Sequence, residues 1–330
     1  MVKKSSPDIY GLIGYPVKHS LSPLMHNAAF NTLEINAEYR LFEVEPAKLE
    51  TFLIDNIKIL DTQGKEFYSQ DISGFNITIP HKVRAFEILK KKFPLSFSKL
   101  AQEDQHYVKL SGAVNTVKRE GGLVLYWNTD AAGFLKSLED KEEGWGLGFA
   151  TKGKSALVIG SGGAGRAVVA ALSWKNMGIK KIYINDIDGN ALKATQGYFF
   201  SLSEREDLKD RLDFISDSKI PEVIKKCDLL VNASPVGMKG EDASAVDRDW
   251  LHQDLCVYDV VYNREQETRL IRDAKSKGLR TANGLSMLLY QGADAFRLWT
   301  GREAPVEIMR KALNEGASGY EGVIPPHKMR

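Results

Sequence analysis

Four clusters in the first half of the chain concentrate side chains that bind polar ligands or handle protons. They are HSLSP (19–23), NITIPHK (76–82), AVNT (113–116) and NTD (128–130). Each lies at the end of a strand-like run, and strand ends of a parallel sheet are where ligands bind in open α/β folds. Their hydroxyls, amides and charges suit a small polyhydroxylated anion. Taken singly, each residue also has a plain structural use. Ser22 before Pro23 is a natural helix N-cap, Asp130 can cap the helix AAGFLKSL, and Thr78 fits a strand.

A fifth cluster handles phosphate. The turn GSGGAG sets Gly160, Gly162, Gly163, Ala164 and Gly165 between the strand SALVI and the helix AVVAAL. In a dinucleotide-binding turn the first glycine permits the tight bend, the second lets backbone amides reach the pyrophosphate, and the last lets helix and strand pack closely. The helix N-terminus adds unpaired N–H groups and partial positive charge. The next strand, KIYIND, ends in Asn185 and Asp186. A carboxylate there accepts hydrogen bonds from the adenosine ribose and repels a 2′-phosphate. No arginine follows until well past the turn, so Asp186 leads us to expect NAD as the preferred cofactor, with NADP the less favoured choice. Capping of the following helix is the other use open to Asp186.

The elements that must hold these clusters alternate. IYGLIG reads as a strand, SPLMHNAAFNTLEI as a helix, AEYRLFEVE and GFNITIP as strands, and HKVRAFEILKKK as a helix. AVNTVKRE and LVLYWNTD read as paired strands joined at Gly121-Gly122. Two polar, aperiodic stretches, 61–71 and 93–107, read as surface excursions. A helix from Ala131 to Asp140 and the glycine-rich EEGWGLG lead into the second half. There CDLLVNAS and LCVYDVVY are buried-type strands, and two helices, SMLLYQGADAFRLWTG and PVEIMRKALN, close the fold. The expected class is α/β with two domains. Residues 1–129, completed by 284–314, form an α/β substrate domain, and 130–283 form a doubly wound Rossmann-type dinucleotide domain. Residues 315–330 read as a loose tail. Asn283-Gly284 and the joint at 144–148 are candidate hinges.

Composition narrows the function classes. At 330 residues, 43% hydrophobic and 27% charged, the chain is sized for about two domains. A formal net charge of +2 with interleaved signs excludes the basic footprint of a nucleic-acid binder. Cys227 and Cys256 lie in no CxxC pair, and the six histidines are scattered, so no metal site is expected. Isolated thiols, no signal peptide and no membrane-length apolar run point to the cytoplasm.

Read together, GYPVKHSLSPLMHNAAF, GFNITIPHK, GAVNTV, NTDAAGF, GSGGAG, NASPVGM and YDVVYNREQETRL…NGLSMLLYQGADAF resemble shikimate dehydrogenases. The resemblance runs from about Ile9 to Leu313. It implies that Ser20 and Ser22, assisted by Tyr262, hold the substrate carboxylate. Thr78, Asn115, Asp130 and Gln291 would meet the ring hydroxyls, Lys82 and Asp130 would form the catalytic pair, and Gly284 would lie opposite the nicotinamide. Several positions depart from the family pattern. Tyr126 and Trp127 replace an approach to NTD that commonly contains glycine, and Ala131 stands where glycine is frequent. The 93–107 segment is longer than usual. Asn185-Asp186 stands where NADP-using members typically carry Asn-Arg, which resembles the NAD-using quinate/shikimate branch.

A lysine suits this chemistry because ketone reduction builds negative charge on an oxygen that must then be protonated. Lys82 falls in the first turn of a helix, where the dipole disfavours a cation, and Asp130 would hold the ammonium in place. The expected partners are small molecules: shikimate, 3-dehydroshikimate and, as an alternative main substrate, quinate. Quinate carries an extra hydroxyl beside the carboxylate, and the Ser20/Ser22 pair mildly favours shikimate. A short-chain reductase would need YxxxK, which does not occur, and a tetrapyrrole-pathway reductase would need a cysteine in the first half. A non-catalytic sensor of shikimate or NAD is the reading from another class, and Lys82 with Asp130 argues against it. Monomer and homodimer stay equally open.

Overall fold

The computed structural model describes residues 6–95, 105–142, 145–239, 243–262 and 267–317. These residues form two main sheets, each covered by helices.

The first sheet has the order β2-β1-β5-β6-β7. Its strands are β1 (Asp8–Gly14), β2 (Ala37–Glu43), β5 (Ile72–Ile77), β6 (Thr116–Glu120) and β7 (Leu123–Trp127). β2, β1 and β5 run parallel, while β5-β6 and β6-β7 pair antiparallel. Gly121 and Gly122 join β6 to β7 with φ of 58° and 79°, a left-handed bend that glycine adopts without strain. Between the strands lie α1 (Ser22–Thr32), α2 (Leu49–Ile54), α3 (Lys82–Lys92) and α4 (His106–Ser111), and α5 (Thr129–Glu139) follows β7.

Two local expectations change. The 61–71 stretch is flanked and partly occupied by a small hairpin of β3 (Lys58–Leu60) and β4 (Glu66–Tyr68). Its turn is built on buried Asp61, whose carboxylate accepts the N–H groups of Gln63 and Lys65 and pairs with Arg40 at 2.6 Å. Ser22 is not the cap of α1 either. The N-cap position is Leu21, and Ser22 is the first helical residue. Of the 93–107 excursion, 96–104 lie outside the described residues, and α4 begins inside its end.

The second sheet is wholly parallel, ordered β10-β9-β8-β11-β12-β13. It comprises β8 (Ser155–Ile159), β9 (Lys181–Asn185), β10 (Leu212–Phe214), β11 (Leu229–Asn232), β12 (Cys256–Asp259) and β13 (Thr281–Asn283). The chain leaves β8 toward β9 and β10, then returns to build β11 to β13 on the other side. Strand order therefore reverses between β8 and β11, which opens a crevice at their carboxyl ends. The connecting helices are α6 (Gly163–Ser173), α7 (Gly189–Phe200), α8 (Leu208–Arg211), α9 (Ile220–Val223) and α10 (Arg269–Ser276).

The last two helices, α11 (Gly284–Thr300) and α12 (Val306–Ala317), return to the first sheet. Phe296, Trp299, Met309 and Leu313 share one buried cluster with Tyr10, Leu12, Phe30 and Tyr39. The Trp299 indole donates to the Val117 carbonyl at 2.9 Å, tying α11 to β6. Of the stretch expected to be a loose tail, 315–317 belong to α12 and 318–330 lie outside the described residues. Gly144 of the expected joint also lies outside them. Among the described residues no helix is long and apolar enough to cross a membrane, and no group of metal ligands gathers.

Candidate active site

The ends of β5, β6 and β7 bring three of the four polar clusters together. Lys82 opens α3, with Pro80 two residues earlier ending the β5 run. Asp130 sits in the first turn of α5, whose true cap is Asn128, accepting from the Ala131 N–H at 3.2 Å. Lys82 Nζ lies 2.5 Å from Asp130 Oδ2, with only 15% and 6% of the two side chains exposed. An ion pair this dry needs its remaining lone pairs satisfied. Asn115 does this, donating from Nδ2 to Asp130 Oδ1 at 2.9 Å and to Gln291 Oε1 at 3.3 Å. Its orientation is forced, because Oδ1 takes the backbone N–H of Thr129 at 2.7 Å.

A buried polar chain continues from Asn115. Asn76 Nδ2 donates to the Asn115 carbonyl and to Thr116 Oγ1, and Thr116 meets Thr129 at 3.0 Å. Tyr39 donates its hydroxyl to Asn76 Oδ1 at 2.8 Å and is hydrogen-bonded to Ser22. Burial pushes the Tyr39 phenol well above its ordinary range, so it stays a neutral donor. Ser22 is buried, and Ser20 Oγ lies 3.1 Å from Ser22 Oγ. Tyr262 packs against the cluster that contains Tyr39. The structure thus links Ser20, Ser22, Tyr262, Asn115, Asp130, Lys82 and Gln291 into one region. Thr78 adjoins it, half-buried where β5 ends, its N–H on the Ile13 carbonyl. Of this network, Tyr39 lies outside the four sequence clusters, whereas Asn76, Thr116 and Thr129 lie within them but were given no role of their own. His81 was also missed. Its Nε2 carries the proton, donating to the Val44 carbonyl at 2.6 Å, and burial lowers its pKa.

The glycine turn lies where strand order reverses. Gly160 has φ of 100°, and a Cβ there would meet the Ser234 nitrogen at 2.7 Å. A Cβ on Gly165 would fall 2.0 Å from the Gly160 carbonyl oxygen, so helix and turn touch backbone to backbone. Gly162 is exposed, with nothing within 4 Å of its missing Cβ, and it leads directly into α6. Open space before a helix N-terminus suits a pyrophosphate, so the residues present fit a dinucleotide. Ala164 follows in the first turn. Gly284 opens α11, and its missing Cβ would sit 1.9 Å from the Val260 oxygen. Behind it, buried Asp259 accepts from Thr268, Asn232 and the Val261 N–H, and burial raises its pKa to about 6.

Asn185 ends β9, and Asp186 follows it beside the glycine turn. Asn185 turns toward Asp217 and the Ile215 carbonyl, at 2.8 and 3.1 Å. Asp186 Oδ2 accepts both the N–H and the hydroxyl of Ser161, at 2.6 and 2.7 Å, and Oδ1 accepts the Asp188 N–H. Its oxygens brace the glycine turn.

A parallel dinucleotide-binding sheet facing a buried lysine–carboxylate pair on a second sheet defines a nicotinamide-dependent oxidoreductase. Residues 12–117 match the family described as "Shikimate dehydrogenase substrate binding domain", and 284–313 match "Shikimate 5'-dehydrogenase C-terminal domain". The chain is 38% identical to the shikimate dehydrogenase (NADP(+)) of Methanopyrus kandleri, over 93% of this chain and 95% of that one. To the enzyme of the same name from Aquifex aeolicus it is 35% identical, over 93% and 96%. The structure of the shikimate 5-dehydrogenase of Thermus thermophilus in complex with NADP(H) and shikimate superposes with a TM-score of 0.68. That alignment has 31% identity and covers 93% of this chain and 99% of that one. The chain belongs to the shikimate dehydrogenase family. The expectation of NAD from Asp186 is corrected by these relatives, which are named for NADP(+) or hold NADP(H). The carboxylate that carried that expectation is engaged within the turn.

Proposed function

We propose that this chain is a shikimate dehydrogenase that interconverts shikimate and 3-dehydroshikimate with NADP, using Lys82 and Asp130 as its acid–base pair. The observation that carries the proposal is the buried Lys82–Asp130 pair at 2.5 Å, held by Asn115 beside Gln291. In this reading residues 1–129 with 284–314 hold the substrate, and residues 130–283 hold the dinucleotide on the turn at Gly160–Gly165. When bound, the dinucleotide supplies or accepts the hydride.

The protein's own residues do the rest. Ser20 and Ser22, with Tyr262, hold the substrate carboxylate and fix the ring's orientation. Thr78, Asn115, Asp130 and Gln291 meet the ring hydroxyls. Lys82 stands by the oxygen that gains charge, stabilises it, and gives up the proton from Nζ. Asp130 keeps the ammonium aimed, and Asn115 keeps Asp130 from rotating. In the oxidative direction Lys82, deprotonated, takes the hydroxyl proton. The carboxylate clamp and the dry acid–base pair suit a small polar acid, and the two free cysteines, Cys227 and Cys256, suit a reducing cytoplasm.

Replacing Lys82 with alanine tests the assignment. We expect turnover to fall by about 10²–10⁴, the contribution of a positioned general acid, with shikimate affinity within about tenfold of the original. Near-normal turnover in that variant removes Lys82 from the mechanism.

A further inference from the structure

Gly163 opens α6, and the space its side chain would fill is taken by another residue. A Cβ at 163 would meet Lys82 Cβ at 2.6 Å, Cδ at 3.0 Å and Cγ at 3.2 Å. The neighbouring Gly162 has open space instead. One glycine of the turn therefore faces outward, while the other lies against the stem of the lysine.

The contact is braced on both sides. Lys82 and Phe86 are four residues apart on α3 and share one face of it. Phe86 packs edge-on to Tyr198 of α7, with ring centroids 6.2 Å apart. The Tyr198 hydroxyl donates to the Lys109 carbonyl of α4, and the Arg166 guanidinium of α6 lies over its ring at 5.3 Å. The Lys82 carbonyl accepts the Val114 N–H at 2.9 Å, which fastens α3 to the segment carrying Asn115. Moving α3 away from Gly163 would open the Phe86–Tyr198 contact as well.

We propose that Gly163 is a positioning residue for Lys82: its bare backbone seats the lysine stem so that Nζ reaches Asp130. The inference rests on the role proposed for Lys82 above. An added methyl group must move the stem by about 1 Å to restore an ordinary contact of about 3.5–4 Å. A misplacement of that size costs about 10² in rate.

The test is a double-mutant cycle on Gly163→Ala and Lys82→Ala, with two readouts made on cofactor-free protein. Shikimate affinity is measured by calorimetry, and the acylation rate of Lys82 by mass spectrometry. Gly163→Ala should lower kcat by about 10²-fold, leave shikimate affinity within about threefold, and raise Lys82 acylation severalfold. In the Lys82→Ala background it should add almost no further loss, because the residue it displaces is gone. Full loss repeated in that background, or unchanged Lys82 acylation, overturns the role of Gly163. Should Gly163→Ala fail to fold, Phe86→Ala replaces it, loosening the same face of α3. Faster Lys82 acylation in that variant supports the seating of the lysine stem, and an unchanged rate overturns it. Near-normal turnover in Lys82→Ala alone would instead strike the proposed function.

Discussion

Asn115→Asp exchanges one atom at the centre of the site without changing its shape. Oδ1 still accepts the Thr129 N–H, but the donor that faced Asp130 becomes a carboxylate oxygen 2.9 Å from Asp130 Oδ1. Two full charges at that separation repel by about 6 kcal/mol at an effective dielectric of about 20. Lys82, 2.5 Å from the other oxygen of Asp130, offsets part of this, which leaves roughly 2–4 kcal/mol. The folded variant relieves the repulsion by keeping one proton on the pair, so at neutral pH it binds more protons folded than unfolded. Its stability relative to the parent must then fall as pH rises. Denaturant unfolding at pH 4 and pH 8 measures the effect. The variant should lie nearest the parent at about pH 4, where the added carboxyl is protonated in both states, and lose a few kcal/mol by about pH 8. A deficit that is the same at both values would refute the close approach of residues 115 and 130.

Other consequences are separately measurable. Ser20→Ala should weaken shikimate binding by roughly 1.5–3 kcal/mol, read by calorimetry against an analogue lacking the carboxylate. If both ligands lose equally, Ser20 does not touch the carboxylate. Asp259, with a folded pKa of about 6 against an ordinary 3.8, holds its proton more tightly in the folded chain. Its contribution is fully present below about pH 4 and is lost as pH rises through about 6, roughly 3 kcal/mol in all. Asp259→Asn should flatten the stability profile across that window, and an unchanged profile would contradict it. Gly284→Ala must push on the Val260 oxygen and should destabilise the cofactor-free protein by about 1–3 kcal/mol in denaturant unfolding. No loss without cofactor would confine Gly284 to the ligand.

What could be read from the sequence followed from signal length. SALVI, the glycine turn and AVVAAL form a strand, turn and helix long enough to show their periods, and Gly160 and Gly165 sit where only glycine fits. The β3–β4 hairpin was invisible because three-residue strands show no alternation, and its organiser Asp61 resembles any surface acid. Tyr39 looks like an ordinary strand residue, and only strand register brings it and Asn76 to the Asn115 network. Ser22 carries the right side chain for a cap but lies one residue inside the helix. Asp186 shows the same limit at the cofactor turn. Residue type predicts a carboxylate near the ribose, whereas the direction of its oxygens, toward Ser161, is set by the folded turn. Lys82 and Asp130 are 48 residues apart, and no local pattern joins them.

The most direct test of the central claim is the absorbance of reduced nicotinamide on mixing the protein with shikimate and NADP⁺, with NAD⁺ and quinate run alongside. The account predicts steady formation of NADPH from shikimate, abolished or nearly so in Lys82→Ala. No reduced cofactor from shikimate, or reduction only with NAD⁺ and quinate, would contradict it.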